Sequence, residues 1–226
     1  MIRTTDELIN SVGLELIWRR KELSELKGLV QETQGQIRSR VIIRSAVAIL
    51  YAHWEGFVKK SSSYYLEFVS SHRLPYGRLS PNFVALTLKA KFNELAASEK
   101  ISGANILADF FCTCLKKQSN IPHKGVFDTK SNLSSKLLKD ILTALGISHD
   151  NFSTRMNYID SNLVNPRNHI AHGEEFSLNL ADYFALHEAV MGLLETYKNE
   201  IENAAVMKTF ERVVVSFNSS VTEAAT

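Results

Sequence analysis

Residues 165–173 read NPRNHIAHG and place an arginine, an amide and two imidazoles within six consecutive positions. Arg167 always carries a positive charge, His172 can gain or lose a proton near neutral pH, and Asn168 both donates and accepts hydrogen bonds. Cleavage of a phosphodiester requires a cation that holds the phosphate and a group that moves protons. The segment therefore predicts a site that binds a phosphate ester and transfers protons during its cleavage.

The residues around this motif predict that it lies between helices. A helix is expected over 150–164, and Asn165 is expected to end it or to cap a new helix, because Asn before a proline is a favourable helix start. Gly173 is predicted to close the motif helix. Ser177 is expected to cap the last long helix of the chain.

Long amphipathic helices are predicted upstream of the motif. Thr4 and Glu7 have the spacing of a capping box, which predicts the start of a first helix. A second helix is expected over 37–71, and two long amphipathic helices joined by a short polar turn are expected to pack antiparallel. The predicted buried stripe of the second helix consists of Val41, Ile42, Ile49, Leu50, Trp54, Phe57, Tyr64 and Phe68.

Shorter helices are predicted between these elements and the motif. Asn82 is a candidate N-cap, Gly146 is a candidate helix stop, and proline and glycine make 119–129 the clearest irregular segment. The predicted shorter helices cover 82–97, 104–117 and 133–145. The pattern predicts an all-α fold: an up-and-down helical bundle of long antiparallel helices with additional shorter helices. Residues 1–210 form its single predicted domain, and 211–226 form a tail with a short edge strand followed by disordered residues.

The composition is that of an ordinary soluble globular protein, with 45% hydrophobic and 22% charged residues. A formal charge of +2 provides no broad positive field for nucleic acid, so any RNA contact must come from a local patch. Cys112 and Cys114 point to different helix faces, which favours reduced thiols over a disulfide or a metal site. The chain shows no signal-peptide pattern and no charge-free membrane span, and we expect a cytoplasmic protein that does not enter a membrane.

The motif and its helical setting resemble the HEPN superfamily, whose all-helical domains include ribonucleases with an Arg-x4–6-His motif. Arg167 matches the arginine, Asn168 the polar residue after it, and His172 the histidine. Residues 51–57, YAHWEGF, and residues 132–133 also resemble a bacterial HEPN subfamily, and the likeness covers most of 37–197.

The resemblance implies metal-independent endonucleolytic cleavage of RNA without a cofactor. The 2′-hydroxyl attacks the phosphorus, and the products carry a 2′,3′-cyclic phosphate and a 5′-hydroxyl. In this interpretation His172 transfers protons and Arg167 binds the phosphate, while Asn168 orients either His172 or Arg167. His169 is a candidate supporting residue; it could also pair with His172 on a metal, but no third ligand is evident nearby.

Two structural alternatives stand beside the catalytic interpretation. Arg167 would cap carbonyl groups of the preceding helix, with His172 as a partner of the helix dipole. On the second helix, Arg40, Arg44, Tyr51, Glu55 and Lys59 lie near a common stripe that would be a solvated face, with Glu55 paired to Lys59 four positions later. In the functional interpretation Glu55 orients the motif, and Arg40 and Arg44 contact the RNA backbone.

One HEPN motif supplies few catalytic groups, and residues five apart lie about 140° apart around a helix. We therefore expect a homodimer with a composite active site. The resemblance suggests a toxin or phage-defence effector with an antitoxin partner. Some HEPN toxins carry a modifiable tyrosine two positions after the histidine, but this chain has Glu174 there. The alternative is a non-catalytic helical dimer that binds a nucleotide, RNA or a protein.

Overall fold

The computed structural model describes residues 1–96, 109 and 113–213. Within these residues the fold is all-α and contains no strand, as the sequence predicted. Two isolated β-bridges, Pro75 to Gln118 and Leu79 to Glu211, are the nearest approach to a sheet. The helices are α1 (Thr5–Glu32), α2 (Ser39–Ser71), α3 (Pro81–Ala96), α4 (Ser135–Leu145), α5 (Asp150–Ser153), α6 (Met156–Tyr158), α7 (Asn165–Ala171) and α8 (Leu180–Val206).

The first two helices form the predicted antiparallel pair. The capping box at Thr4 and Glu7 is confirmed, since each side chain bonds the backbone of the other residue. Two contacts show the antiparallel order, because the later residue of α1 contacts the earlier residue of α2. Tyr64 donates a hydrogen bond to Glu15, whereas His53 lies 3.3 Å from Glu22. Each fully buried aliphatic or aromatic side chain between these helices stabilises the fold by about 1.5–3 kcal/mol.

Helix α8 packs against both α1 and α2, so the three long helices form a bundle. Lys27 and Arg20 on α1 each pair at 2.6 Å with a glutamate of α8, and the order of these pairs makes α8 antiparallel to α1. Tyr197 is fully buried against α2, where its hydroxyl is hydrogen-bonded to Ser62 at 2.6 Å and its ring meets Trp54 edge-on. The prediction that Trp54 belongs to the core is therefore confirmed.

Helix α2 is the one described helix long and apolar enough to cross a membrane by length and composition. In the fold, 56% of its most apolar 18-residue window is buried. The core packing of α2 against α1 and α8 accounts for that apolar sequence. The predicted stripe was wrong at Val41, which is 63% exposed near the start of the helix.

Helices α3 and α4 pack together beside the long helices. The prediction that Asn82 caps α3 is wrong, because the helix begins at Pro81 and the Asn82 amide donates instead to the Ala144 carbonyl at 2.9 Å. Gly146 ends α4 as predicted: its φ of 71° is left-handed, and a Cβ there would lie 3.0 Å from the Asn82 side chain. The irregular segment 119–129 also appears as predicted.

The chain leads into the motif through a π-helical segment, Ile159–Val164. The predicted single helix over 150–164 was wrong, because α5, α6 and this segment replace it. A new α-helix begins at Asn165 with Pro166 in its first turn, as predicted. The predicted Asn165 cap is wrong, since Val164 and Asn165 both have helical dihedral angles and no side chain caps α7. π-Helical turns are rare and often occur at functional sites.

The remaining differences lie at helix ends. Asn179, and not Ser177, caps α8, because its side chain accepts the Asp182 amide at 2.8 Å. Most of the helix predicted over 104–117 lies outside the described residues, which show a 3₁₀ turn at Cys114–Lys116. Cys114 is a half-buried free thiol, and Cys112 is outside the described residues. The single-domain assignment and the predicted strand and disordered tail remain predictions, since the described chain stops at 213.

Candidate active site

Helix α7 carries the motif and ends in a Schellman turn. The Gly173 amide donates to the Ile170 carbonyl at 3.1 Å, and the Glu174 amide donates to the His169 carbonyl at 2.9 Å. Gly173 has a φ of 73°, which a glycine adopts without steric cost. The turn places His172 at the C-cap, with an exposed side chain.

Arg167 points toward the bundle and is held on three sides. One terminal nitrogen donates to Asn168 Oδ1 at 2.6 Å, and the other donates to the Ser131 carbonyl. The guanidinium carbon lies 4.3 Å from the centroid of the Tyr51 ring, which is a cation–π contact. The alternative in which Arg167 caps the preceding helix is wrong, because its backbone acceptor lies in a turn 36 residues earlier.

Tyr51 forms the floor under this guanidinium. The ring is 2% exposed, and its hydroxyl oxygen accepts the Leu133 amide at 2.5 Å. Burial, as the largest cause, raises the pKa of Tyr51 far above that of a free tyrosine, and the charge of Glu55 raises it further. Tyr51 is therefore a neutral phenol near pH 7, and it contacts Arg167 through its π face.

The turn that binds Arg167 has an unusual backbone. Lys130 and Ser131 adopt φ values of 47° and 53°, a left-handed conformation that costs about 1 kcal/mol or more for each non-glycine residue. The Lys130 amide donates to Asp128 at 2.9 Å, and buried Thr129 donates its hydroxyl hydrogen to Glu55. These bonds fix the direction of the Ser131 carbonyl.

Glu55 thus acts on the motif through this turn. Its side chain is 8% exposed and contacts Thr129, so the alternative of a solvated face paired along the helix is wrong for Glu55. The described contacts include no direct bond from Glu55 to Arg167 or His172. Sequence reasoning placed Glu55 near the motif but missed Tyr51, Thr129 and Ser131 as the groups in between.

A second connection joins the motif region to α4. Asp160, in the π-helical segment, accepts the Ser135 amide at 2.8 Å and also binds the Ser135 hydroxyl. A carboxylate at the first turn of α4 is favourable because helix N-termini are partially positive. The turn at 128–133 and the π-helical segment are therefore both attached to the start of α4, which makes the frame around Arg167 rigid.

His172 differs from Arg167 because it faces solvent. Among the described residues its side chain has no hydrogen bond or ion pair, and the described hydrogen bonds of Arg167 go to Asn168 and Ser131. The expectation that the two groups need not converge within one chain stays a prediction. One chain therefore presents a half-buried guanidinium and an exposed imidazole that no described hydrogen bond joins.

Arg40, Arg44 and His169 contact the segment that follows the motif. Arg40 pairs with Glu175 at 2.7 Å, and Arg44 donates to the carbonyls of Glu174 and Phe176 at 2.8 and 2.9 Å. His169 Nδ1 contacts the Glu174 carboxylate. All three predicted residues thus lie beside the motif, and in this structure they anchor its C-terminal side.

The two cavities described in the structure are not centred on the motif. One, of about 680 Å³, lies between α3, the 122–128 segment and α4, with Asn82, Phe127 and Ile141 among its walls. The other, of about 340 Å³, lies beside Arg40 and the start of α8. Neither Arg167 nor His172 lines either cavity. Across the described chain, no group of three or more His, Cys, Asp or Glu side chains is arranged to hold a metal ion.

Comparison with known protein families gives one match. The description of that family is RiboL-PSP-HEPN, and the match covers residues 14–203. Searches of curated proteins and of solved structures return no significant match. The matched span covers more than four fifths of the sequence and includes α2, the turn at 128–133 and the whole motif. The chain therefore belongs to the RiboL-PSP-HEPN family and is a HEPN superfamily domain.

Proposed function

We propose that this chain is a metal-independent endoribonuclease. HEPN domains are often ribonucleases, and the observation that carries the proposal here is the fixed guanidinium of Arg167 within a family match that includes Asn168 and His172. A guanidinium has five N–H donors, and the bonds to Asn168 and Ser131 use two of them. The other donors can bind phosphate oxygens while the bonds to Asn168 and Ser131 remain.

The reaction follows from these groups. A neutral imidazole, His172, removes the proton from the 2′-hydroxyl, and the 2′-oxygen forms a bond to phosphorus. Arg167 stabilises the negative charge on the phosphorane oxygens, while Asn168 holds the guanidinium. The bond from phosphorus to the 5′-oxygen breaks, and a protonated imidazole supplies a proton to that oxygen. The products have a 2′,3′-cyclic phosphate and a 5′-hydroxyl.

The Arg167 and the His172 that act together are most simply provided by different chains of a dimer, and the imidazolium formed by the first proton transfer supplies the second proton. No described hydrogen bond joins Arg167 and His172 within one chain, and neither residue lines the two cavities described above. A two-fold dimer that brings two α7 helices together would place two guanidinium groups and two imidazoles in one cleft. We therefore propose a homodimer with a composite site as the active form.

We propose that the biological role is that of a toxin or phage-defence effector controlled by an antitoxin protein and acting in the cytoplasm. Induced expression in bacteria is then expected to stop growth, and His172→Ala is expected to relieve the arrest at equal protein levels, because the exposed side chain has few structural contacts. His123→Ala is a matched control that should remain toxic. A second candidate function, a non-catalytic binding module, predicts that neither wild type nor variant affects growth.

A further inference from the structure

Two aromatic rings stack in parallel next to the motif. His169 on α7 and Phe176 in the segment after it have ring planes within 7° of each other and centroids 6.3 Å apart. The His169 side chain is 51% exposed, and Phe176 is half-buried. The two rings therefore form a parallel stack in which the His169 ring is half exposed to solvent. We refer to His169 and Phe176 together as the ring pair.

The ring pair is fixed in place by its surroundings. Arg44 bonds the carbonyl groups of Glu174 and Phe176, and the Schellman turn joins Glu174 to the end of α7. The Glu174 carboxylate contacts His169 Nδ1 and so sets the ring orientation. A ligand that stacks on rings held in this way loses little affinity to ordering of the protein.

The charges around the ring pair are already paired. Glu174 contacts His169, Glu175 pairs with Arg40, and two donors of Arg44 are used on backbone carbonyls. Arg40 holds the pKa of Glu175 below its usual range, so this ion pair is intact at neutral pH. The surface is therefore better suited to a planar uncharged group than to a phosphate. Arg40 and Arg44 support this segment, and their RNA-backbone role stays a prediction.

We infer that the ring pair is a stacking platform for an unpaired base of the RNA substrate, which makes that substrate single-stranded. His169 lies two residues after Arg167 and three before His172 on the same short helix, so a stacked base would adjoin the scissile phosphate. Bases in a duplex are stacked on one another and do not expose their faces, whereas unpaired bases stack on aromatic side chains. This inference rests on the proposed ribonuclease function.

The test uses the full chain and two RNA forms. A single-stranded 2′-O-methyl oligonucleotide, which cannot be cleaved at the 2′-hydroxyl, measures binding by fluorescence anisotropy, and the same sequence in a duplex is the comparison. Wild type is expected to bind the single strand more tightly. Phe176→Leu is expected to weaken that binding by about tenfold, in line with alanine-scan values for base stacking, and Phe176→Tyr should preserve it. Phe92→Leu removes another exposed phenyl ring and should leave binding unchanged.

Cleavage of the unmodified single strand separates this inference from the proposed function. The platform predicts that Phe176→Leu raises KM and leaves kcat within about threefold. Cleavage with an unchanged KM in Phe176→Leu, or equal binding of single strand and duplex, overturns the platform and leaves the ribonuclease proposal standing. Binding that depends on Phe176 without any cleavage retains the platform and overturns the proposed catalysis. A wild type that neither binds nor cleaves overturns both.

Discussion

Replacing Arg167 with alanine is expected to reduce RNA cleavage by about 10²–10³-fold, which is the typical effect of removing one preorganised group that stabilises transition-state charge. Arg167→Lys should also lose most of the activity. A lysine keeps the charge, but it lacks the planar fork that binds Asn168, Ser131 and the Tyr51 face together. Initial rates on a single-stranded RNA substrate measure both effects.

The fold must be checked in the same experiment, because Arg167 also stabilises its surroundings. Loss of the cation–π contact is expected to cost about 0.5–2 kcal/mol of unfolding free energy, which chemical denaturation can measure. Arg20→Ala is the matched control, since Arg20 pairs with Glu195 on the opposite part of the bundle. Arg20→Ala should cleave at the wild-type rate. A folded Arg167→Ala protein with activity within threefold of wild type would contradict the assigned role.

Mixing two inactive variants is expected to restore activity if the site is composite. In an Arg167→Ala and His172→Ala heterodimer, one of the two Arg167–His172 pairs of the shared cleft is intact, with Arg167 from one chain and His172 from the other. Random assortment produces about half heterodimers, so the mixture should recover about one quarter of wild-type activity. The measurement is the cleavage rate after the two proteins are unfolded and refolded together.

A double variant supplies the control for this complementation. In a mixture of Arg167→Ala with the protein that carries both substitutions, no chain has Arg167. No Arg167–His172 pair is therefore intact, and no recovery is expected. Recovery in the first mixture but not in the second would establish that the two groups come from different chains. If neither mixture recovers while wild type is active and dimeric, the site does not pair Arg167 of one chain with His172 of the other.

The sequence predicted the elements whose signals are local. Thr4 and Glu7 identify the start of α1 through a three-residue spacing, and Gly146 and Gly173 end their helices because a left-handed residue is needed there. The motif was recognised by residue type and spacing, and the family match over 14–203 confirms the HEPN superfamily that the motif indicated. These features depend on a few neighbouring residues, and the rest of the fold does not alter them.

The frame around Arg167 could not be predicted, because its contacts join residues far apart in the chain. The Ser131 carbonyl is a backbone group that any residue would provide. Lysine and serine at 130 and 131 are not residue types that predict a left-handed conformation. Glu55 shares a helix stripe with two exposed or half-exposed arginines, so its burial under Thr129 is visible only in three dimensions. Tyr51 was noted on the same stripe and within residues 51–57, which resemble a bacterial HEPN subfamily, but its contact with Arg167 was not anticipated.

The helix ends that were predicted wrongly share a cause. Asn82, Asn165 and Ser177 are all residue types that favour N-caps, and each lies next to a real change in the chain direction or helix type. In the fold, Asn82 bonds α4, and Asn165 continues a π-helical segment without a cap. Side-chain type alone does not distinguish a cap from a tertiary hydrogen bond.

The most direct test of the central claim is the chemistry of the cleaved ends. Purified wild-type protein is incubated with mixed RNA and excess chelator, and the product termini are determined alongside those from Arg167→Ala and His172→Ala. We predict cleavage in the presence of chelator, fragments with 2′,3′-cyclic phosphate and 5′-hydroxyl ends, and loss of these fragments in both variants. A wild type that cuts no RNA, or fragments that carry 5′-phosphates, would contradict the account.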